Sequence, residues 1–176
     1  MRIPLTFGNT EKYSKNVNAG RCINMFPVVN SSDSKNQLTL TNTPGLEPWL
    51  YPQYGEVRGL FVSGTRYLYA VVANKAYLID VPTETSTEIG TLQTYTGKVW
   101  IVKNGYPQIM FCDGTYGYVY EGGTNTFVQI TDTDFPGCGS LAMIDNYAII
   151  SEPSTGRMWN SELNDFTSWV GSDSEL

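Results

Sequence analysis

Apolar residues in this chain gather in short runs that recur every 40 residues. Arg66-Tyr67-Leu68-Tyr69-Ala70-Val71-Val72, Tyr106-Pro107-Gln108-Ile109-Met110-Phe111-Cys112 and Asn146-Tyr147-Ala148-Ile149-Ile150-Ser151 align with Tyr69, Ile109 and Ile149 equivalent. A repeat of this length, built from several short strands, is the pattern of β-propeller blades. The first unit predicts strands over Val57–Val62, Tyr67–Ala73, Ala76–Asp80 and Thr87–Leu92. The second predicts Lys98–Val102, Gln108–Cys112, Tyr116–Glu121 and Thr126–Ile130. The third predicts Ser140–Ile144, Tyr147–Ser151, Gly156–Asn160 and Phe166–Trp169. Each unit therefore reads as a four-stranded antiparallel meander.

The polar punctuation agrees. Ser63-Gly64-Thr65, Asn104-Gly105 and Asp145-Asn146 separate first and second strands with residues that accept positive φ or make side-chain turns. Asn74, Asp113-Gly114 and Ser154-Thr155-Gly156 separate second and third strands. A sheet wet on one face alternates polar and apolar positions, yet Leu68-Tyr69-Ala70-Val71-Val72 and Ile109-Met110-Phe111-Cys112 are continuous apolar runs. Strands covered on both faces read this way, as blades between neighbours do. The competing arrangement is an ordinary β-sandwich or meander. Amphipathic helix is excluded, because every candidate window is broken by Gly, Pro or β-branched residues.

The expected architecture is thus all-β, with β-propeller-like four-stranded blades over residues 57–176 and an extended N-terminal arm over residues 1–56. The blades fall at about 57–97, 98–137 and 138–176. Closed propellers have about four blades or more, so a ring of three is not expected to close. The expectation is a piece of a longer propeller, or blades completed by other chains. The arm is rich in Asn, Ser, Pro and Gly. It carries short apolar patches at Cys22-Ile23-Asn24-Met25-Phe26 and Leu38-Thr39-Leu40, which suit one or two strands docking on another surface.

Charge and composition narrow the function. The net charge of −6 and the scattered Lys and Arg argue against sequence-specific or other direct nucleic-acid binding. No apolar run is long enough to span a bilayer, and the N-terminus lacks a secretory signal, so synthesis in the cytoplasm is expected. Histidine is absent, which removes the commonest general base and metal ligand. Cys22, Cys112 and Cys138 have no CxxC spacing and are expected to be reduced, half-buried thiols. No cofactor or metal site is expected.

The order of motifs carries a resemblance. Gly20-Arg21-Cys22-Ile23-Asn24-Met25-Phe26-Pro27, a loop, and then Leu38-Thr39-Leu40-Thr41-Asn42-Thr43-Pro44-Gly45-Leu46 resemble the opening of the packaged-DNA stabilisation proteins of short-tailed bacteriophages. Those proteins form the tail hub or nozzle. Blade strands like Val57-Arg58-Gly59-Leu60 and Tyr67-Leu68-Tyr69-Ala70-Val71 follow, and Asn164-Asp165-Phe166-Thr167-Ser168-Trp169 is similar to their third blade. The resemblance implies a non-enzymatic virion tail protein, made in the host bacterium, that assembles as a ring-forming homo-oligomer. Its implied partners are the portal and adaptor ring, the tail needle, and tail fibre or spike proteins.

Candidate residues follow from clustering. Arg21 with Phe26, and Trp49, Tyr51 and Tyr54 outside the repeat, are the expected arm or intersubunit contacts. Pro44-Gly45 predicts a type II turn with positive φ at the glycine. Asp132 and Asp134 have the spacing that opens some calcium loops, but the remaining ligands are missing and a polar inter-blade loop is expected. A second functional class is a glycan-binding or glycoside-acting propeller. There Asp80, Asp113 and Glu152, at the ends of repeat strands, would supply paired acids.

Overall fold

The computed structural model describes residues 25–29, 38–45 and 47–175, and Arg21 and Cys22 lie outside these. The chain forms two compact units, residues 1–49 and 50–176. Residues 50–56 lie within the larger one.

The smaller unit contains an antiparallel pair, β1 (Met25–Val29) and β2 (Leu38–Asn42), in register from Met25 opposite Asn42 to Val29 opposite Leu38. Beyond β2 the backbone is irregular, and Gly45 does not take a positive φ. The type II turn expected at Pro44-Gly45 is therefore not formed; the chain leaves the strand without reversing on that pair.

The larger unit is three four-stranded antiparallel sheets, each in sequential order. The first blade is β3 (Val57–Ser63), β4 (Tyr67–Val72), β5 (Lys75–Asp80) and β6 (Thr85–Thr91). The second is β7 (Trp100–Lys103), β8 (Gln108–Cys112), β9 (Gly117–Glu121) and β10 (Thr126–Gln129). The third is β11 (Ser140–Ile144), β12 (Tyr147–Ser151), β13 (Met158–Glu162) and β14 (Asp165–Glu175). No helix occurs among the described residues. The turns use positive φ where the sequence supplies tolerant residues, at Gly64 (φ 66°), Asp145 (φ 49°) and Asn146 (φ 67°) between first and second strands. The turns between third and fourth strands repeat as well. Glu84 (φ 53°) and Asn125 (φ 55°) each sit between two threonines whose hydroxyls are bonded, Thr83 to Thr85 at 2.9 Å and Thr124 to Thr126 at 2.8 Å.

Blades stack face against face. β7 lies against both β3 and β11, and β6 against β10. Between the first two blades, Tyr69, Val71 and Ala76 pack on Ile109, Phe111, Tyr118 and Tyr120. Between the second and third, Met110, Cys112 and Val119 pack on Leu141, Ala148, Ile150, Phe166 and Trp169. Alternate residues of β8 thus serve opposite interfaces, which is why its apolar run is unbroken. At the outer strands, Phe127 of β10 stacks on Tyr118 with centroids 5.5 Å apart and reaches over Gly90 of β6. A Cβ on Gly90 would sit 2.1 Å from a Phe127 ring carbon.

Cys112 and Cys138 are not reduced, half-buried thiols but a disulfide, fully buried, with Cα atoms 5.7 Å apart. The linker between blades folds back over the end of β8, and this brings together two cysteines 26 residues apart that no local motif pairs.

Two outcomes follow from this packing. Gly90→Ala drives a methyl into a ring already held by Tyr118 and Phe111, so it should lower unfolding stability by about 1–3 kcal/mol in urea titration. Burial, with smaller contributions from Tyr120 and Tyr67, pushes the Tyr69 phenol up to about 12 from an ordinary value of 10.0. The folded state holds this proton more tightly than the unfolded one, so its stabilisation is complete below pH 10 and lost as pH rises toward 12. The expected slope in that window is about 1.4 kcal/mol per pH unit, and Tyr69→Phe should flatten it in alkaline denaturation curves.

Candidate functional site

The end of the blades where second strands turn into third strands holds a buried polar cluster, at the joint between the first two blades. Arg58, in β3, is 4% exposed although it carries a full charge. It sits within an apolar strand because the linker from blade one to blade two wraps its guanidinium. Nε donates to Gly97 O at 2.7 Å. Nη1 donates to Ala73 O at 2.9 Å and Thr94 O at 2.6 Å, and Nη2 donates to Thr94 Oγ1 at 2.7 Å and Thr96 O at 2.8 Å. A guanidinium has five N–H donors, and all five are used.

The counter-charge arrives through one hydroxyl. Thr94 Oγ1 accepts from Arg58 and donates to Asp113 Oδ2 at 2.8 Å. Tyr118 also donates to Asp113 Oδ2, at 3.1 Å, while its oxygen accepts from Gln93 N at 2.8 Å. The other Asp113 oxygen accepts from the amides of Thr115 (3.0 Å) and Tyr116 (2.7 Å), the local turn geometry that aspartate favours. Burial, and then the neighbouring Asp113, hold the Tyr118 phenol well above its ordinary value, so it stays a donor at neutral pH. Every group is saturated by another, which makes the cluster a fastening. Low local dielectric strengthens such a network when all its members are satisfied.

The three acids considered for glycoside chemistry are not gathered. Asp80 pairs with Arg66 at 2.7 Å, opposite Tyr67 at the start of β4. Asp113 and Glu152 follow the ends of β8 and β12, at the other end of the blades. Glu152 is bonded to Thr155 Oγ1 at 2.9 Å. Asp132 serves structure too: its carboxylate accepts from Asp134 N at 2.9 Å and Trp169 N at 3.1 Å, tying the second inter-blade linker to β14. Among the described residues no group of three or more metal-ligating side chains occurs.

Of the expected contact residues, Arg21 falls outside the described residues. Phe26, on β1, and Trp49 are exposed in the smaller unit. Tyr51 and Tyr54 are exposed in the larger one, Tyr54 almost completely at 98%. Sequence reasoning missed Arg58, Thr94 and Tyr118. The one available signal was a single cation inside the apolar stretch Val57-Arg58-Gly59-Leu60.

Residues 1–171 match the profile of a phage-stabilisation family described as the bacteriophage P22 Gp10 β-propeller. The chain belongs to this family. The match takes in both units and all three blades, and the resemblance read from motif order is to the same group. The phage-stabilisation family is structural, so the saturated Arg58–Asp113 cluster is in keeping with it. No curated protein matches the chain. Among solved structures, one chain titled "Crystal Structure of Mitotic Checkpoint Complex" aligns at 10% identity and a TM-score of 0.42, over 97% of this chain and 48% of that one.

Removing the cation should open the joint. Arg58→Met leaves five acceptors without their donors, and the expected loss is about 3 kcal/mol or more in chemical denaturation. Arg58→Lys, with three donors and no planar fork, should recover only part of it.

Proposed function

We propose that this chain is a structural component of a phage tail hub or nozzle that helps close the portal vertex and retain packaged DNA. The observation that carries the reading is the phage-stabilisation match over residues 1–171, on a chain built from stacked four-stranded blades. The work is mechanical: blades packed face against face form a stiff body, and extended segments reach neighbours. The protein acts as a ring-forming homo-oligomer in the virion tail after synthesis in the host cytoplasm. It meets the portal and adaptor ring on one side, and the tail needle and fibre or spike proteins on the other. Arg21, Phe26, Trp49, Tyr51 and Tyr54 supply contacts, since exposed aromatics and arginine are the residue types enriched in interfaces. With a net charge of −6, retention of DNA proceeds by blocking an exit rather than by gripping phosphates.

Particles assembled without this chain should fill with DNA and then lose it, leaving mostly empty heads in electron micrographs. Stable filled heads in its absence would overturn the proposal. For the contacts, Arg21→Glu combined with Phe26→Ala should shift the purified protein from a discrete oligomer to smaller species in light scattering coupled to size exclusion. An unchanged mass would remove both residues from the ring interface.

A further inference from the structure

The joint between the second and third blades is fastened by a covalent bond with no route to solvent. Cys112 closes β8, and Cys138 lies in the linker that enters the third blade. Both are 0% exposed, among Met110, Val119, Leu141, Ala148 and Ile150. The Cys138 amide donates to Thr115 O at 3.1 Å, pinning the linker over the end of β8. Between the two cysteines run β9, β10 and the linker. The sulfurs meet only when that linker has folded back, and docking of the third blade then seals them.

We propose that Cys112 and Cys138 form a redox latch, set as the third blade docks and shielded from reductants once the interface has closed. Setting it converts two thiols to one disulfide with loss of two protons and two electrons. The oxidant is a disulfide compound, either a thiol–disulfide oxidoreductase or a small-molecule disulfide, which leaves as two thiols. One cysteine thiolate attacks the oxidant's sulfur and expels the first thiolate, giving a mixed disulfide; the second cysteine attacks the protein sulfur and expels the other. The mixed disulfide places a bulky group on a sulfur that has no free space around it when the blades are closed, so exchange belongs to the open joint. Reduction of the finished bond requires the same opening. Its rate is therefore set by local separation of the blades and not by the reductant alone. This inference rests on the packing of the joint and is independent of where the protein sits in a virion.

The test uses the full chain with Cys22→Ser, refolded in oxidised glutathione and then treated with dithiothreitol at neutral pH. Thiols are trapped with iodoacetamide and the Cys112 and Cys138 peptides are read by mass. The expected result is a disulfide reduced at least about tenfold more slowly in buffer than in urea just below the unfolding midpoint, because only the open fraction reacts. Leu141→Ala, which loosens this interface, should speed reduction in buffer. Tyr69→Phe, at the other joint, should leave the rate unchanged. Recovery of Cys112 and Cys138 as free thiols after refolding would overturn the latch. So would reduction in buffer as fast as in urea, or equal rates for the Leu141→Ala protein and its parent.

Discussion

A four-stranded sheet with two apolar faces cannot stand alone, and this constraint organises the molecule. The second blade exposes neither face of β8: Ile109 and Phe111 go to the first blade, Met110 and Cys112 to the third. Removing either neighbour would return a row of large side chains to water, at a cost of about 1.5–3 kcal/mol for each. Stability therefore belongs to pairs of blades, as in other repeat architectures where neighbour interfaces dominate. The linkers carry unusual precision as a result, because they decide how one pair continues into the next.

Both joints are fastened at the same end of the blades by unlike chemistry. Cys112, the last residue of β8, is followed directly by Asp113, which opens the turn. One reaches forward to the linker entering the third blade; the other reaches back, through Thr94, to Arg58 in the first. The polar joint draws its geometry from a planar cation with fixed donor directions, and the apolar joint from a covalent bond between buried sulfurs. A two-residue segment thus fixes the middle blade against both of its partners. A charged group of this kind is stabilising only while fully satisfied, and the five acceptors around Arg58 meet that condition.

Much of this was legible in the amino-acid sequence, because strands leave a periodic trace. Gln108–Cys112, Ser140–Ile144 and Tyr147–Ser151 fall at the positions that spacing and turn residues predict. The misfits have local causes. Lys98 and Val99 read as strand but belong to the linker, since the Val99 amide bonds to Arg58 O and enters no ladder with β8. The last strand runs on to Glu175, past the apolar residues that mark its beginning, because backbone pairing with β13 needs no apolar side chain. The fastenings were hidden for a different reason. Arg58 binds mostly backbone carbonyls, which every residue has, and the cysteines are joined by the path of a linker that strand periodicity does not describe.

The contact between Gly90 and Phe127 joins the outer strands of the first two blades. The first two blades meet at both edges, β7 against β3 along the spine and β6 against β10 along the rim. Near the spine a Cβ on Gly59 would come within 2.6 Å of Val99 O, while at the rim a flat ring is wedged against bare backbone. The ring occupies the space that a side chain at position 90 would need. Steric fit at this edge thus belongs to two positions in different blades at once, a large side chain on one and none on the other.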